Sequence, residues 1–202
     1  MEAKNYLEDI KDIKQMMSQS TQFISLSGLS GILAGIYALI GAAYVNNLIL
    51  KHKGDYITLE SATFREITLT AFVVLVASVI TASLMTINKA KEQGEKVWNT
   101  SSKRLLINFA IPLCTGGIFT LLLLRQGYYG LIAPITLMFY GLACLNASKY
   151  TLRDVRYLGI TEIILGLLAV EFSGYGLYFW IVGFGICHII YGAMMYYKYD
   201  RK

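Results

Sequence analysis

Six blocks of mostly apolar residues dominate this sequence, and each is close to the length that a helix needs to cross a lipid bilayer. About 20 apolar residues, rising about 1.5 Å each, span the hydrocarbon core. Only 15% of the 202 residues are charged, whereas soluble domains carry about 25%. The sequence therefore predicts an all-α fold, a polytopic membrane bundle of six transmembrane helices in three hairpins. The predicted spans are 22–46, 67–88, 104–125, 128–148, 156–172 and 176–197.

Lysine and arginine are unevenly distributed between the segments that join these spans. Of the 18 basic residues, 14 lie in the N-terminal segment, the loops 88–104 and 148–156, and the C-terminus. Cytoplasmic loops carry an excess of Lys and Arg. The pattern predicts a multi-pass inner-membrane protein with both termini in the cytoplasm. It indicates the lipid bilayer as a partner and gives no support for nucleic acid, because the charges flank the membrane.

The N-terminal segment, residues 1–20, is predicted to form a short amphipathic helix before the transmembrane domain, residues 21–202. Its apolar residues recur at 4-3-4 spacing, which places them on one helix face. They are Tyr6, Ile10, Ile13 and Met17. We expect a cytoplasmic or interfacial helix on the inner membrane surface, since two heptads are too few for a coiled coil.

The loop 88–104 is predicted to extend the second span as a helix. Gly94 is a candidate for its end, and Ser101 or Ser102 for the cap of the third span.

Several spans carry small residues at offsets of three and seven, a spacing that keeps them on one helix face. Small residues on one face let two helix backbones approach closely in a membrane. These faces should turn into the bundle, and with them the ionisable residues at the centre of two of the stripes. The packing glycines are Gly28, Gly31 and Gly35, then Gly159 and Gly166 around Glu162, and Gly185 and Gly192 around His188.

Glu162 and His188 lie on consecutive, antiparallel spans at similar depth, so a contact between them is expected. Ionisable residues within spans are costly and are functional by default. We interpret the pair as a centre that holds or exchanges a proton near neutral pH, within a polar pocket that opens toward the cytoplasm. The alternative is a static hydrogen bond that fixes the last hairpin. Further candidates for the pocket are Ser30, Asn108, Asn146 and Tyr191.

Enzyme chemistry is less well supported. The stretch Gly28-Leu29-Ser30-Gly31, together with the late His188, resembles rhomboid intramembrane proteases, but that family carries its serine on the fourth core helix. Here Ser30 lies on the first span. A glycine packing face is therefore the favoured interpretation, and no catalytic residue, metal ligand set or cofactor is predicted.

Through its last hairpin, which reads GFGICHIIYG, the chain resembles small six-span inner-membrane proteins of bacteria. That resemblance implies no activity. The leading hypothesis is a non-enzymatic membrane protein that moves or senses a small solute or a proton. The alternative is a structural or regulatory anchor for another protein, through residues 1–20 and the loop 88–104. An intramembrane enzyme ranks third, and a homo-oligomer or a protein partner stays open.

Overall fold

The computed structural model describes residues 22–52, 59 and 61–201, and all the regular secondary structure among them is helical. The predicted helix of residues 1–20 lies outside the described residues. Within the described ranges, six helices follow one another. They are α1 (Gly28–Lys51), α2 (Ala62–Glu92), α3 (Thr100–Arg125), α4 (Tyr129–Ala147), α5 (Val155–Glu171) and α6 (Gly176–Asp200).

Five of these helices, all except α5, are long and apolar enough to cross a membrane. The prediction of an all-α helical membrane bundle is thereby confirmed. Helix α5 corresponds to the fifth predicted span. With 17 residues it is the shortest of the six, since α4 has 19 residues when its initial 3₁₀ turn is included. At about 1.5 Å per residue it is about 26 Å long. A sixth crossing through α5 stays a prediction.

The local sequence explains where the loop between α2 and α3 begins and ends. Gly94 has a φ of +66°, a left-handed conformation that favours glycine after a helix. The cap of α3 lies two or three residues earlier than the predicted Ser101 or Ser102. Asn99 is the cap, since its side chain accepts from the Ser102 amide at 2.8 Å, while the Ser102 hydroxyl accepts from the Asn99 amide at 2.9 Å.

The helices pack in an order that differs from their order in the chain. Helix α1 lies between α2 and α6, and α4 lies between α3 and α5. Helix α6 joins the two groups through its contacts with α4 and α5. Consecutive helices α1–α2 and α3–α4 therefore pack as hairpins, whereas α6 packs more extensively on α1 than on α5.

Glycines line the closest helix contacts. Between α1 and α6, a Cβ atom added at Gly192 would lie 2.6 Å from the amide nitrogen of Ile32 and 2.8 Å from the carbonyl oxygen of Gly28. One added at Gly35 would lie 2.7 Å from the carbonyl oxygen of Gly185. These distances leave no room for a side chain, so the α1–α6 contact is one of backbone against backbone.

The α4–α5 contact has the same character. A Cβ atom at Gly159 would lie 2.7 Å from the carbonyl oxygen of Gly141, and one at Gly166 would lie 2.9 Å from that of Pro134. The stripes on α1, α5 and α6 thus face neighbouring helices, and they hold Glu162 and His188 inside the bundle.

Polar contacts tie the chain together at the end of the bundle where α1 begins and α6 ends. Asp200 accepts from the amide of Gly28 at 2.9 Å and pairs with Nζ of Lys89 at 2.5 Å. The amide of Phe23 donates to the carbonyl oxygen of Tyr150 at 2.8 Å. These bonds bring the segment before α1, the end of α2, the α4–α5 loop and the end of α6 to one end.

A second ion pair lies at the same end. Asp154 accepts from Nζ of Lys198 at 2.8 Å and from the hydroxyl of Tyr199 at 2.9 Å. Burial raises the pKa of the Asp154 carboxyl, but the hydrogen bonds from Lys198 and Tyr199 and the charge of Lys198 outweigh it, so that its pKa lies below the ordinary value.

Candidate functional site

Glu162 and His188 come together near the middle of α5 and α6. Glu162 is completely buried and His188 is 7% exposed. Oε1 of Glu162 lies 3.5 Å from Nδ1 of His188. The contact expected between the two spans is therefore present in the structure.

Both carboxyl oxygens of Glu162 lack a hydrogen-bond partner among the described residues. Buried polar groups in proteins are nearly always hydrogen-bonded. An ionised carboxylate without donors in an apolar interior is costly, and a protonated one still has an O–H to donate. The described side chains and backbone around Glu162 therefore leave the hydrogen-bonding capacity of this buried acid unused.

Both ring nitrogens of His188, in contrast, have partners. Nδ1 lies 3.0 Å from the carbonyl oxygen of Gly183, and Nε2 lies 2.7 Å from the hydroxyl oxygen of Tyr140. A carbonyl oxygen can only accept, so Nδ1 carries a hydrogen and donates it. In the neutral ring, Nε2 then accepts from the Tyr140 hydroxyl. One tautomer therefore satisfies both contacts.

Two neighbouring aromatic rings pack against His188. The ring centroid of His188 lies 5.2 Å from that of Tyr140 and 5.7 Å from that of Phe184. The rings of Tyr140 and Phe184 are themselves 5.1 Å apart. Packing and hydrogen bonds therefore both favour the observed orientation of the imidazole.

The backbone of α6 makes the space for the carboxyl group of Glu162. Residues Ile181–Cys187, directly before His188, wind as a π-helix, a form that is rare and frequent at functional sites. A Cβ atom added at Gly183 within this segment would collide with Oε2 of Glu162. Gly183 therefore provides both the acceptor for His188 and the room for Glu162.

The other residues predicted for a polar pocket are dispersed. The Tyr191 hydroxyl lies 3.4 Å from Oγ1 of Thr161, the neighbour of Glu162, so Tyr191 links the same two helices.

Asn108 donates to the carbonyl oxygen of Arg104 at 2.8 Å. Ser30 donates to that of Ser27 at 2.7 Å, and Asn146 is half-buried on α4. Asn108 and Ser30 bond their own chain locally, a common alternative for such side chains in helices.

Tyr140 and Gly183 belong to the site, and neither was among the predicted site residues. Tyr140 stands directly before Gly141, a glycine that packs closely against Gly159, and one turn before Cys144. Gly183 stands two residues before Gly185. A tyrosine beside a packing stripe and a second glycine in the histidine helix are the signals that point to them. We name Tyr140, Glu162, Gly183 and His188 the buried cluster.

Two grooves on the described part of the chain lie away from the buried cluster. One, of about 500 Å³, is lined by aromatic residues between Phe172 and Val182. The other, of about 460 Å³, lies between α1 and α2 around Tyr37 and Val74. Both are apolar, and neither includes a member of the buried cluster. Within the described ranges no three His, Cys, Asp or Glu side chains converge as metal ligands would.

No protein-family model, curated protein or solved structure matches this chain. Its function therefore has to be argued from the geometry of the buried cluster and from the arrangement of its helices.

Proposed function

We propose that this chain is a multi-pass inner-membrane protein that binds and releases a proton at Glu162 and His188, and so moves or senses a proton or a small proton-linked solute. The observation that carries this proposal is the Glu162 carboxyl group, buried without a hydrogen-bond partner among the described residues and 3.5 Å from His188. Ionisable side chains within spans mark proton relays and substrate paths.

The hydrogen bonds of His188 support a proton relay between Tyr140 and Glu162. When Glu162 is ionised, the hydrogen on Nδ1 passes to Oε1 of Glu162, Nε2 takes the hydroxyl proton of Tyr140, and Tyr140 regains a proton from water. The ring changes tautomer and gains no net charge once both steps are complete. A small turn of the imidazole would exchange the Gly183 carbonyl oxygen, at 3.0 Å, for Oε1 of Glu162, at 3.5 Å.

The conformation described here is closed around the cluster, because Glu162 has no exposed surface. Exchange with the cytoplasm therefore requires a second conformation in which water or solute reaches the pair. The proposed orientation has both termini in the cytoplasm. It is supported by the basic segments, three of which meet at the end that carries the Lys89–Asp200 and Lys198–Asp154 pairs.

Proton movement can be measured in vesicles that contain the purified protein and a pH-sensitive dye. After an external pH jump, wild-type vesicles should equilibrate faster than empty ones, and Glu162→Gln should remove the difference. Glu171→Gln is the matched control, since Glu171 is exposed at the end of the same helix. If the wild type equilibrates no faster than empty vesicles, movement of protons is overturned and only sensing remains.

A further inference from the structure

The end of α2, the loop that follows it and the start of α3 carry a group of exposed basic residues, which we name the α2–α3 basic surface, and the exposed Glu92 lies in the same stretch. Its members are all exposed, and they comprise four cations and one aromatic residue: Lys91, Lys96, Trp98, Lys103 and Arg104. We propose that this surface binds the headgroup phosphate of an anionic phospholipid. The inference rests on the membrane-spanning part of the proposed function and is independent of Glu162.

The four cations of this surface differ from other lysines at the same end of the bundle. Lys89 and Lys198 are held in ion pairs with Asp200 and Asp154. Among the residues that the structure describes, none of the four forms an ion pair. Their charge is therefore available to a ligand, whereas the charges of Lys89 and Lys198 are paired with carboxylates of the protein.

The surface lies where the apolar part of α3 begins. Trp98 is 64% exposed, and Leu106 and Ile107, which follow closely in α3, are 53% and 57% exposed. Tryptophan concentrates at the interface between membrane and water. Nζ of Lys103 lies 5.5 Å from the centroid of the Trp98 ring. The cations are therefore expected at headgroup level, beside a hydrophobic surface that acyl chains can cover.

The electrostatics of the helix start also favour an anion. The first turn of α3 contains no acidic residue, and Lys103 and Arg104 are the fourth and fifth residues of the helix. Helix N-termini carry a partial positive charge that favours anions and disfavours cations. Two cations at this place repel both each other and the helix end, and a phosphate between them would relieve that repulsion.

A phosphate could come from a lipid or from solution. The exposed Trp98 and the apolar residues that adjoin the cations favour a ligand with a charged head and apolar tails. Near an anionic membrane the negative surface potential attracts each basic residue that lies close to the surface. A phospholipid engages the basic and the apolar parts together, whereas free phosphate engages only the first.

Trp98 itself can report the bound lipid. The chain has two tryptophans, so Trp180→Phe leaves Trp98 as the only one. This protein is placed in phosphatidylcholine nanodiscs that contain a small fraction of brominated lipid, which quenches tryptophan fluorescence on contact. The brominated lipid is either phosphatidylglycerol or phosphatidylcholine, and the ratio of the two quenching constants measures preference for the anionic headgroup.

We expect phosphatidylglycerol to quench several-fold more strongly, and Lys103→Gln with Arg104→Gln to bring the ratio close to one. The matched control is Lys149→Gln with Arg153→Gln, which removes two exposed charges from the α4–α5 loop at the same end and should preserve the ratio. Helix content and the midpoint of thermal unfolding are compared for all variants, so that a folding defect is recognised.

Equal quenching by both lipids in the parent protein, or an equal loss of preference in both double variants, would overturn the proposal. Loss of the preference when inorganic phosphate replaces chloride at equal ionic strength would assign the surface to a soluble anion instead. Absence of quenching by either lipid would show that Trp98 does not reach the membrane and would overturn the lipid site, while leaving the proton measurements on Glu162→Gln as the separate test of the proposed function.

Discussion

Nδ1 of His188 lies 3.5 Å from Oε1 of Glu162, yet the same nitrogen lies 3.0 Å from the carbonyl oxygen of Gly183, to which it donates. The histidine is thus hydrogen-bonded without using the carboxyl group beside it. A static ion pair would have the shorter contact between the two ionisable groups. The observed arrangement leaves the acid available for a change of protonation.

The stability of the Glu162→Gln variant distinguishes a static ion pair from a carboxyl group that is available for a change of protonation. Because the carboxyl oxygens form no hydrogen bond among the described residues, the amide should change the free energy of unfolding by no more than about 1 kcal/mol. Breaking a buried ion pair costs about 3–5 kcal/mol. Unfolding is followed in detergent, with Glu171→Gln as the control, and a loss in the larger range would favour the static pair.

Tyr140→Phe should destabilise the protein by about 1–3 kcal/mol, because it leaves the buried Nε2 of His188 without its donor. The control is Tyr191→Phe, whose half-buried hydroxyl lies at a longer distance, 3.4 Å, from Thr161. That change should cost less than about 1 kcal/mol. Equal losses of stability in the two variants would show that the Tyr140–His188 hydrogen bond contributes no more to stability than the Tyr191–Thr161 contact.

Gly192→Ala should separate α1 from α6. The added methyl group would lie 2.6 Å from the Ile32 amide and 2.8 Å from the Gly28 carbonyl oxygen, and backbone atoms cannot move aside without shifting a helix. We expect a loss of about 2–3 kcal/mol in the free energy of unfolding.

The matched change is Gly117→Ala in α3, where no atom beyond the adjoining residues and the local helix backbone lies within 4 Å of the added Cβ. It should leave stability unchanged or raise it by up to about 1 kcal/mol, as expected for Ala in place of Gly in a helix. Similar unfolding midpoints for both variants would contradict close packing at Gly192.

Asp154 should make the stability depend on pH in the acid range. Its pKa is lowered in the folded protein by Lys198 and Tyr199, against the effect of burial. Such a group contributes stability above its unfolded pKa of about 4, and the contribution is lost as the pH falls through the lower folded value. Asp154→Asn should therefore flatten the decline of the unfolding midpoint below about pH 4. An unchanged slope in this variant, relative to the wild type, would contradict the lowered pKa.

The membrane bundle could be predicted from the sequence because long apolar blocks allow few other structures. Which helices pack together could not be predicted from the sequence, because lipid is as apolar as the surface of a helix. The hydrophobic pattern therefore does not distinguish a face that contacts lipid from a face that packs on another helix. The stripe around Gly31 indicates a close approach but not its partner. The structure provides that partner in α6, where Gly192 lies opposite it.

The pairing of Glu162 with His188 was predicted because spans joined by a short turn must be neighbours. The hydrogen bonds of His188 could not be predicted, because both depend on local backbone form. One acceptor is a carbonyl within the π-helical segment Ile181–Cys187, and sequence periodicity at 3.6 residues does not reveal such winding. The other partner, Tyr140, comes from α4, which is distant in sequence.

Infrared difference spectroscopy of the protonated carboxyl band tests the central claim most directly. Spectra of wild type, Glu162→Gln and Glu171→Gln are compared while the pH is changed between roughly 5 and 8, the range in which a histidine relay operates. We predict a pH-dependent carboxyl band that is present in the wild type and in Glu171→Gln and is missing from Glu162→Gln. A band that does not change over this range, or one that survives in Glu162→Gln, would contradict proton exchange at the buried cluster.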